Sequence, residues 1–219
     1  IMEICEVLKA EIVDTSASHM IIHMCDTPER INLLLDMLHK YMDHDVVDLL
    51  AVGVNKTGYG PVEYVSLMNQ WYGHSDIPVG KITEGIEYNY PESNFAAKVS
   101  EMKDESGAPL FRTGFDSKNG LLETPVLYRK VLAGVPDKSV TLISVGYSTN
   151  LVRLMESGPD EYSDLSGMEL IAKKVKLLSV MAGDFRPGAS AEFNVVQDIP
   201  SAKMIFEKWP TPVVASPFD

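Results

Sequence analysis

Apolar positions along this chain fall into two rhythms. Short runs rich in β-branched residues alternate with longer stretches in which apolar residues recur every three or four positions. Residues 45–54 (DVVDLLAVGV) predict a buried strand. Gly60-Pro61 opens a predicted helix that runs to Trp71, with Val62, Val65, Leu67, Met68 and Trp71 as its apolar residues. Residues 77–80 (IPVG) form a short strand-like piece, and 123–131 predict a helix with Pro125 in its first turn. Residues 139–145 (SVTLISV) and 175–181 (VKLLSVM) predict two further strands. Residues 201–209 predict an amphipathic helix with Ala202, Met204, Ile205 and Trp209 on its apolar side, and 211–215 a last strand.

Strands separated by helices require crossover connections, so the expected fold is α/β, a mostly parallel sheet flanked by helices, in a single domain over 1–219. Continuous apolar strands imply that both sheet faces are covered. Ligands of such sheets sit beyond the carboxyl ends of the strands. The positions just after Val54, Val145, Met181 and Ala215 are therefore where a site is expected. The middle of the chain, 84–119, is dominated by turn residues, with a short helical stretch at 95–102. It reads either as one wall of that site or as a plain surface connection.

Composition narrows the partners. The chain has 219 residues, is 45% apolar and 23% charged, and carries a net charge of −12. Such a mixture is that of an ordinary globular protein rather than a disordered or collagen-like one. The acidic balance disfavours nucleic-acid polymers. No apolar run approaches the ~20 residues of a membrane-spanning helix. No signal-peptide pattern opens the chain, so a cytoplasmic location is expected, although a chain that begins at Ile1 leaves a removed leader open.

Candidate chemistry is sparse. Cys5 and Cys25 are two thiols without C-x-x-C spacing and read as incidental. There is no phosphate loop, no dinucleotide-binding glycine turn and no nucleophile elbow. His19 and His23 are four apart in a segment that looks like a strand, where such a pair chelates one ion poorly. His39, His44 and His74 read as solvated. The segment Glu192-Phe193-Asn194 is more informative. If extended, it turns a carboxylate and an amide to one side, a pair able to hydrogen-bond vicinal hydroxyls of a sugar. The other reading is a helix entry, with Asp198 as the cap of the helix that follows.

Several blocks resemble the nucleoside hydrolase family, its inosine-uridine-preferring type and bacterial relatives. These are 177–183 (LLSVMAG), 191–194 (AEFN), 198–202 (DIPSA), 140–150 (VTLISVGYSTN) and 76–80 (DIPVG), in the family's order. The resemblance implies a nucleoside-hydrolase-like open α/β fold. It also implies a glycosidase that cleaves the N-glycosidic bond of a ribonucleoside with a calcium-bound water. Its substrate would be a small nucleoside or ribose-containing molecule, and the family often forms homo-oligomers. By the same resemblance Glu192 and Asn194 match the ribose-binding pair. Val145 matches a position that gives the metal its backbone carbonyl, and Asp14 one strand-end metal ligand.

The family's N-terminal Asp-x-Asp and Asp-Asp motif is not matched. Arg30 and Ile31 fall where the second pair belongs, and Thr27-Pro28-Glu29 reads as a plain helix start before 32–38. The family's further ligating Asp and leaving-group acid lie beyond Asp219, so against that pattern the fold looks truncated. No catalytic residue is assigned. Two other readings stay open beside the hydrolase: a degenerate, non-catalytic sugar- or nucleoside-binding member, and a structural or partner-binding α/β domain.

Overall fold

A computed structural model describes residues 11–15, 20–23, 48–58, 60–86, 94–111 and 121–217. By its internal contacts the chain divides into two compact units, 1–48 and 49–219. In the first unit, β1 (Glu11–Thr15) and β2 (Met20–His23) pair antiparallel, with Thr15 opposite Met20 and an irregularity between Ile12 and Asp14. The predicted helix at 32–38, its start at Thr27-Pro28, and Cys5, Cys25, His19, His39 and His44 lie outside the described residues.

The second unit holds two parallel sheets flanked by helices. In the first sheet β3 (Val52–Gly53) pairs with β4 (Val79–Gly80), joined by α1 (Pro61–Trp71). Gly60 enters α1 with φ of 61°, a left-handed conformation that costs glycine little, and proline follows in the first turn. Val62 and Val65 of α1 pack on the buried Val54, Val79 and Ile82. The short α2 (Phe95–Ser100) lies against α1, with the Tyr64 and Phe95 rings edge to face at 5.5 Å.

The second sheet runs in the order β5 (Val140–Ser144), β6 (Val175–Met181), β7 (Val213–Ser216), all parallel. Thr141 lies opposite Leu177, and Leu178 opposite Val213. Its helices are α3 (Thr124–Ala133), α4 (Thr149–Glu156), α5 (Gly167–Lys174), the one-turn α6 (Phe193–Gln197) and α7 (Ile199–Lys208). Val175, Leu178 and Val180 of the central strand are buried with Leu132, Leu154, Leu170, Ile171 and Ile205 from four of these helices. Burying a side chain of this kind is worth about 1.5–3 kcal/mol, so this cluster anchors the unit.

One buried ion pair ties three of the helical segments together. Arg129 of α3 is 2% exposed. Its guanidinium donates to both carboxylate oxygens of Asp160, at 2.7 and 3.1 Å, and also to Ser157 Oγ and the carbonyls of Ser163 and Leu165. The guanidinium beside Asp160, helped by the backbone N–H groups of Tyr162 and Ser163, holds that carboxyl below its ordinary range.

The structure bears out the α/β class and differs from expectation at three places. Of the strand predicted over 45–54, the described residues 48–54 hold β3 at Val52–Gly53, and 48–50 is irregular and exposed; 45–47 lie outside the described residues. Helices α4 and α5 occupy a stretch with no sequence-based expectation. The segment at 193–197 is helical rather than extended. Among the described residues, no helix is long and apolar enough to cross a membrane.

Candidate functional site

The strand ends where a site was expected do enclose a cleft. It has a volume of about 350 Å³ and is lined by 51–56 beside β3 and by 142–145 beside β5. Other lining residues include Tyr128 of α3, Val65 of α1, and Asn150 and Leu151 of α4. Asn55, just after Val54, and Gly146, just after Val145, meet at its end: a Cβ on residue 146 would push the Asn55 amide aside.

Two helix starts hold the end of β3. The Val54 carbonyl accepts from Asn150 Nδ2 at 2.7 Å and from Thr124 Oγ1 at 3.1 Å. Thr124 and Asn150 are both buried. The other amide atom of Asn150, Oδ1, is buried without a hydrogen-bond partner. Burial pushes the Tyr128 phenol up to about 12, so at neutral pH it is a protonated O–H beside Gly53. The cleft is thus a largely apolar slot edged by amides, a phenol and one cationic side chain, Lys56.

The sequence-predicted residues are placed as follows. Glu192 caps α6: its carboxylate accepts from the backbone N–H groups of Asn194 at 2.8 Å and Val195 at 3.0 Å. Asn194 Nδ2 donates to the Met181 carbonyl at the end of β6. Each of the two side chains thus has a structural partner of its own. Phe193 is half exposed, its ring tilted against Tyr147, rather than pointing into the core. Asp198 caps α7 through Ser201 N and also accepts from the Thr149 hydroxyl, as the helix-entry reading expected.

Val145 lies just past β5 and is exposed, while Asp14 belongs to β1 in the other unit. Calcium prefers several carboxylate and carbonyl oxygens. The cleft beside Val145 offers Asn55, Ser144 and Asn150, with Lys56 as its charged residue, a set that does not fit a hard cation. Among the described residues no group of three or more His, Cys, Asp or Glu is placed to hold a metal ion. His74 is exposed, as expected. The described part of 84–119 contributes nothing to the lining, so it forms no wall of this cleft.

Sequence reasoning located the cleft through the strand ends but missed Asn150 and Tyr128. Asn150 stands in the strand-turn block 140–150, where its position at a helix start was the usable signal. Tyr128 sits at helical spacing among core residues and carries no local mark of a cleft.

Fold and cleft together define an α/β protein with a cleft at the carboxyl ends of its strands. The family model for the small subunit of acetolactate synthase matches residues 1–47. The match ends where the first compact unit ends. No curated protein matches the chain. The match corrects the nucleoside hydrolase expectation, including the hydrolase and glycosidase activity it implied. It falls on the region where the hydrolase pattern lacked its aspartates. The blocks that carried the resemblance are accounted for locally: Glu192 and Asp198 are helix caps, and Asn194 fastens a helix to a strand end.

Proposed function

We propose that this chain is a protein-binding, regulatory-type subunit whose residues 1–47 engage a larger partner subunit. The observation that carries the reading is the match of those residues to the small subunit of acetolactate synthase. One further feature supports it: the matched residues fall within a compact unit of their own. The net charge of −12 favours a protein over a nucleic-acid partner. A cytoplasmic location belongs to the same proposal.

The test mixes the purified chain with the large subunit of an acetolactate synthase. Light scattering after size exclusion reports the complex, and amine-reactive cross-linking with mass spectrometry reports where it forms. The reading expects a complex of defined stoichiometry, cross-links from Lys9 or Lys40 to the partner, and a change in acetolactate formation when the chain is added. No complex, or cross-links confined to 49–219, overturns it.

A further inference from the structure

The amino end of the β5–β6 pair gathers positive charge, in a chain whose overall charge is −12. Val140 lies opposite Val175, which sets the loop before β5 beside the end of α5 and the start of β6. Four lysines meet there: Lys138 of the loop, Lys173 and Lys174 in the last turn of α5, and Lys176 of β6. Lys174 pairs with Asp137 at 2.9 Å and also donates to the Val135 carbonyl at 2.7 Å. Its hydrogen bond to Asp137, with the charge of Lys173 nearby, holds that carboxyl below its ordinary range. Lys138, Lys173 and Lys176 are exposed, and among the described residues none of the three makes a salt bridge.

Cations in a last helical turn offset the helix dipole, which accounts for Lys173 and Lys174 but not for the other two. Lys138 holds a φ of 55°, a left-handed conformation that no other non-glycine residue adopts among those described. Its N–H donates to the Lys173 carbonyl at 3.0 Å and its ammonium to the Val175 carbonyl at 3.4 Å. Backbone and side chain of Lys138 are therefore both fixed against α5 and β6. Lys176 stands exposed on the central strand of a parallel sheet, whose faces are normally covered. A short anionic segment senses such a cluster within a Debye length of about 8 Å, whereas a long polyanion also meets the acidic remainder of the chain. The undescribed segments of this chain hold no two adjacent carboxylates, so none of them supplies a contiguous acidic run.

We propose that the lysine cluster at the amino end of β5 and β6 docks a short acidic segment of a partner protein, its carboxylates held by Lys138, Lys173 and Lys176. Charge complementarity selects the segment, and charge-assisted hydrogen bonds from the ammonium groups hold it. The fixed Lys138 lowers the ordering that binding demands. Contacts of this exposed kind are individually weak, so the complex is salt-sensitive. This surface is independent of the reading of residues 1–47.

The probe is a fluorescent, terminally blocked peptide of alternating glutamate pairs and single glycines, titrated into the full chain by anisotropy. A second peptide carries glutamine in place of every glutamate. We expect the acidic peptide to bind below about 1 mM at low salt, to weaken about tenfold on raising salt from about 50 to 300 mM, and the glutamine peptide not to bind. Lys173→Gln with Lys176→Gln, both at exposed positions, should weaken binding about tenfold and leave the thermal melt unchanged. Lys98→Gln with Lys103→Gln, also exposed, should bind as the native chain does. On the native chain, bound peptide should slow acetylation of Lys138, Lys173 and Lys176 and spare Lys98 and Lys103, by mass spectrometry. No binding up to about 1 mM, equal binding of the glutamine peptide, or equal loss from the two lysine pairs overturns the proposal. A single-stranded oligonucleotide of equal charge that binds as tightly assigns the cluster to nucleic acid. A concentration-dependent dimer lost in Lys173→Gln with Lys176→Gln assigns it to a second copy. Either result overturns the acidic partner segment.

Discussion

Arg129→Met is the most revealing single change in the second unit. Methionine keeps the length and apolar stem of the side chain, so the perturbation isolates the guanidinium. In the native protein that group satisfies both oxygens of Asp160, the Ser157 hydroxyl and the carbonyls of Ser163 and Leu165 from a position 2% exposed. Removing it takes the donor from two carbonyls and leaves Asp160, 27% exposed, with only the backbone N–H groups of Tyr162 and Ser163. Breaking a fully buried pair from one side costs about 3–5 kcal/mol; the partial exposure of Asp160 puts this change near the lower end, about 2–3 kcal/mol. With a urea slope of about 2 kcal/mol/M, the unfolding midpoint of the second unit should fall by about 1–1.5 M. Tryptophan fluorescence follows this directly, because Trp209 is buried in the same core.

The pH dependence of the same unit supplies an internal control. Asp160 is held below its ordinary value chiefly by the hydrogen bond from Arg129. A depressed carboxyl contributes stability that is present above the unfolded value near 4 and is lost as pH falls through the lower folded value. Arg129→Met should therefore flatten the fall in stability below pH ~4 that the native chain shows. Asp160→Asn in the Arg129→Met background should recover part of the loss, since a neutral amide costs less to leave without the guanidinium. A midpoint shift under about 0.5 M with an unchanged slope would refute the reasoning.

Two further changes test the local architecture. Asp198→Ala removes the cap of α7 and the acceptor of the Thr149 hydroxyl, and should cost about 1–2 kcal/mol by urea unfolding with the sheet's circular dichroism retained. Gly167→Ala drives a Cβ into the Leu154 carbonyl, a backbone atom unable to rotate away, and should destabilise by about 1–3 kcal/mol; an unchanged melting temperature would show that α4 and α5 can separate freely.

Much of the fold was legible because β6 is a run of β-branched and aliphatic residues whose pattern survives burial on both sides; its predicted limits, 175–181, are those observed. The helix from Pro61 was equally readable, since Gly60 and Pro61 mark its start by backbone geometry alone. The row at 45–54 misled because aliphatic residues were taken as buried, whereas Leu49 and Leu50 are exposed. Helix α5 escaped notice although its Ser166–Glu169 capping box is present, because the eight-residue helix runs directly into β6 with no turn residues between them. For the segment after Ala191 the alternation of Glu and Asn left an extended strand and a helix entry both open. Once the Glu192 carboxylate collects two backbone N–H groups, the chain must turn instead. The cleft was reachable from topology, but its donor and acceptor balance depends on Asn150 and Val54, which are 96 positions apart and meet only in the fold.

The Val54 carbonyl has a mechanical consequence. One oxygen at the end of β3 is gripped from two directions, by Thr124 at the head of α3 and by Asn150 at the head of α4. Neither helix can shift its first turn without pulling on that oxygen, and therefore on the other helix. The strand end works as a shared hinge pin: a load placed on β3 is divided between two levers that converge on the same buried core.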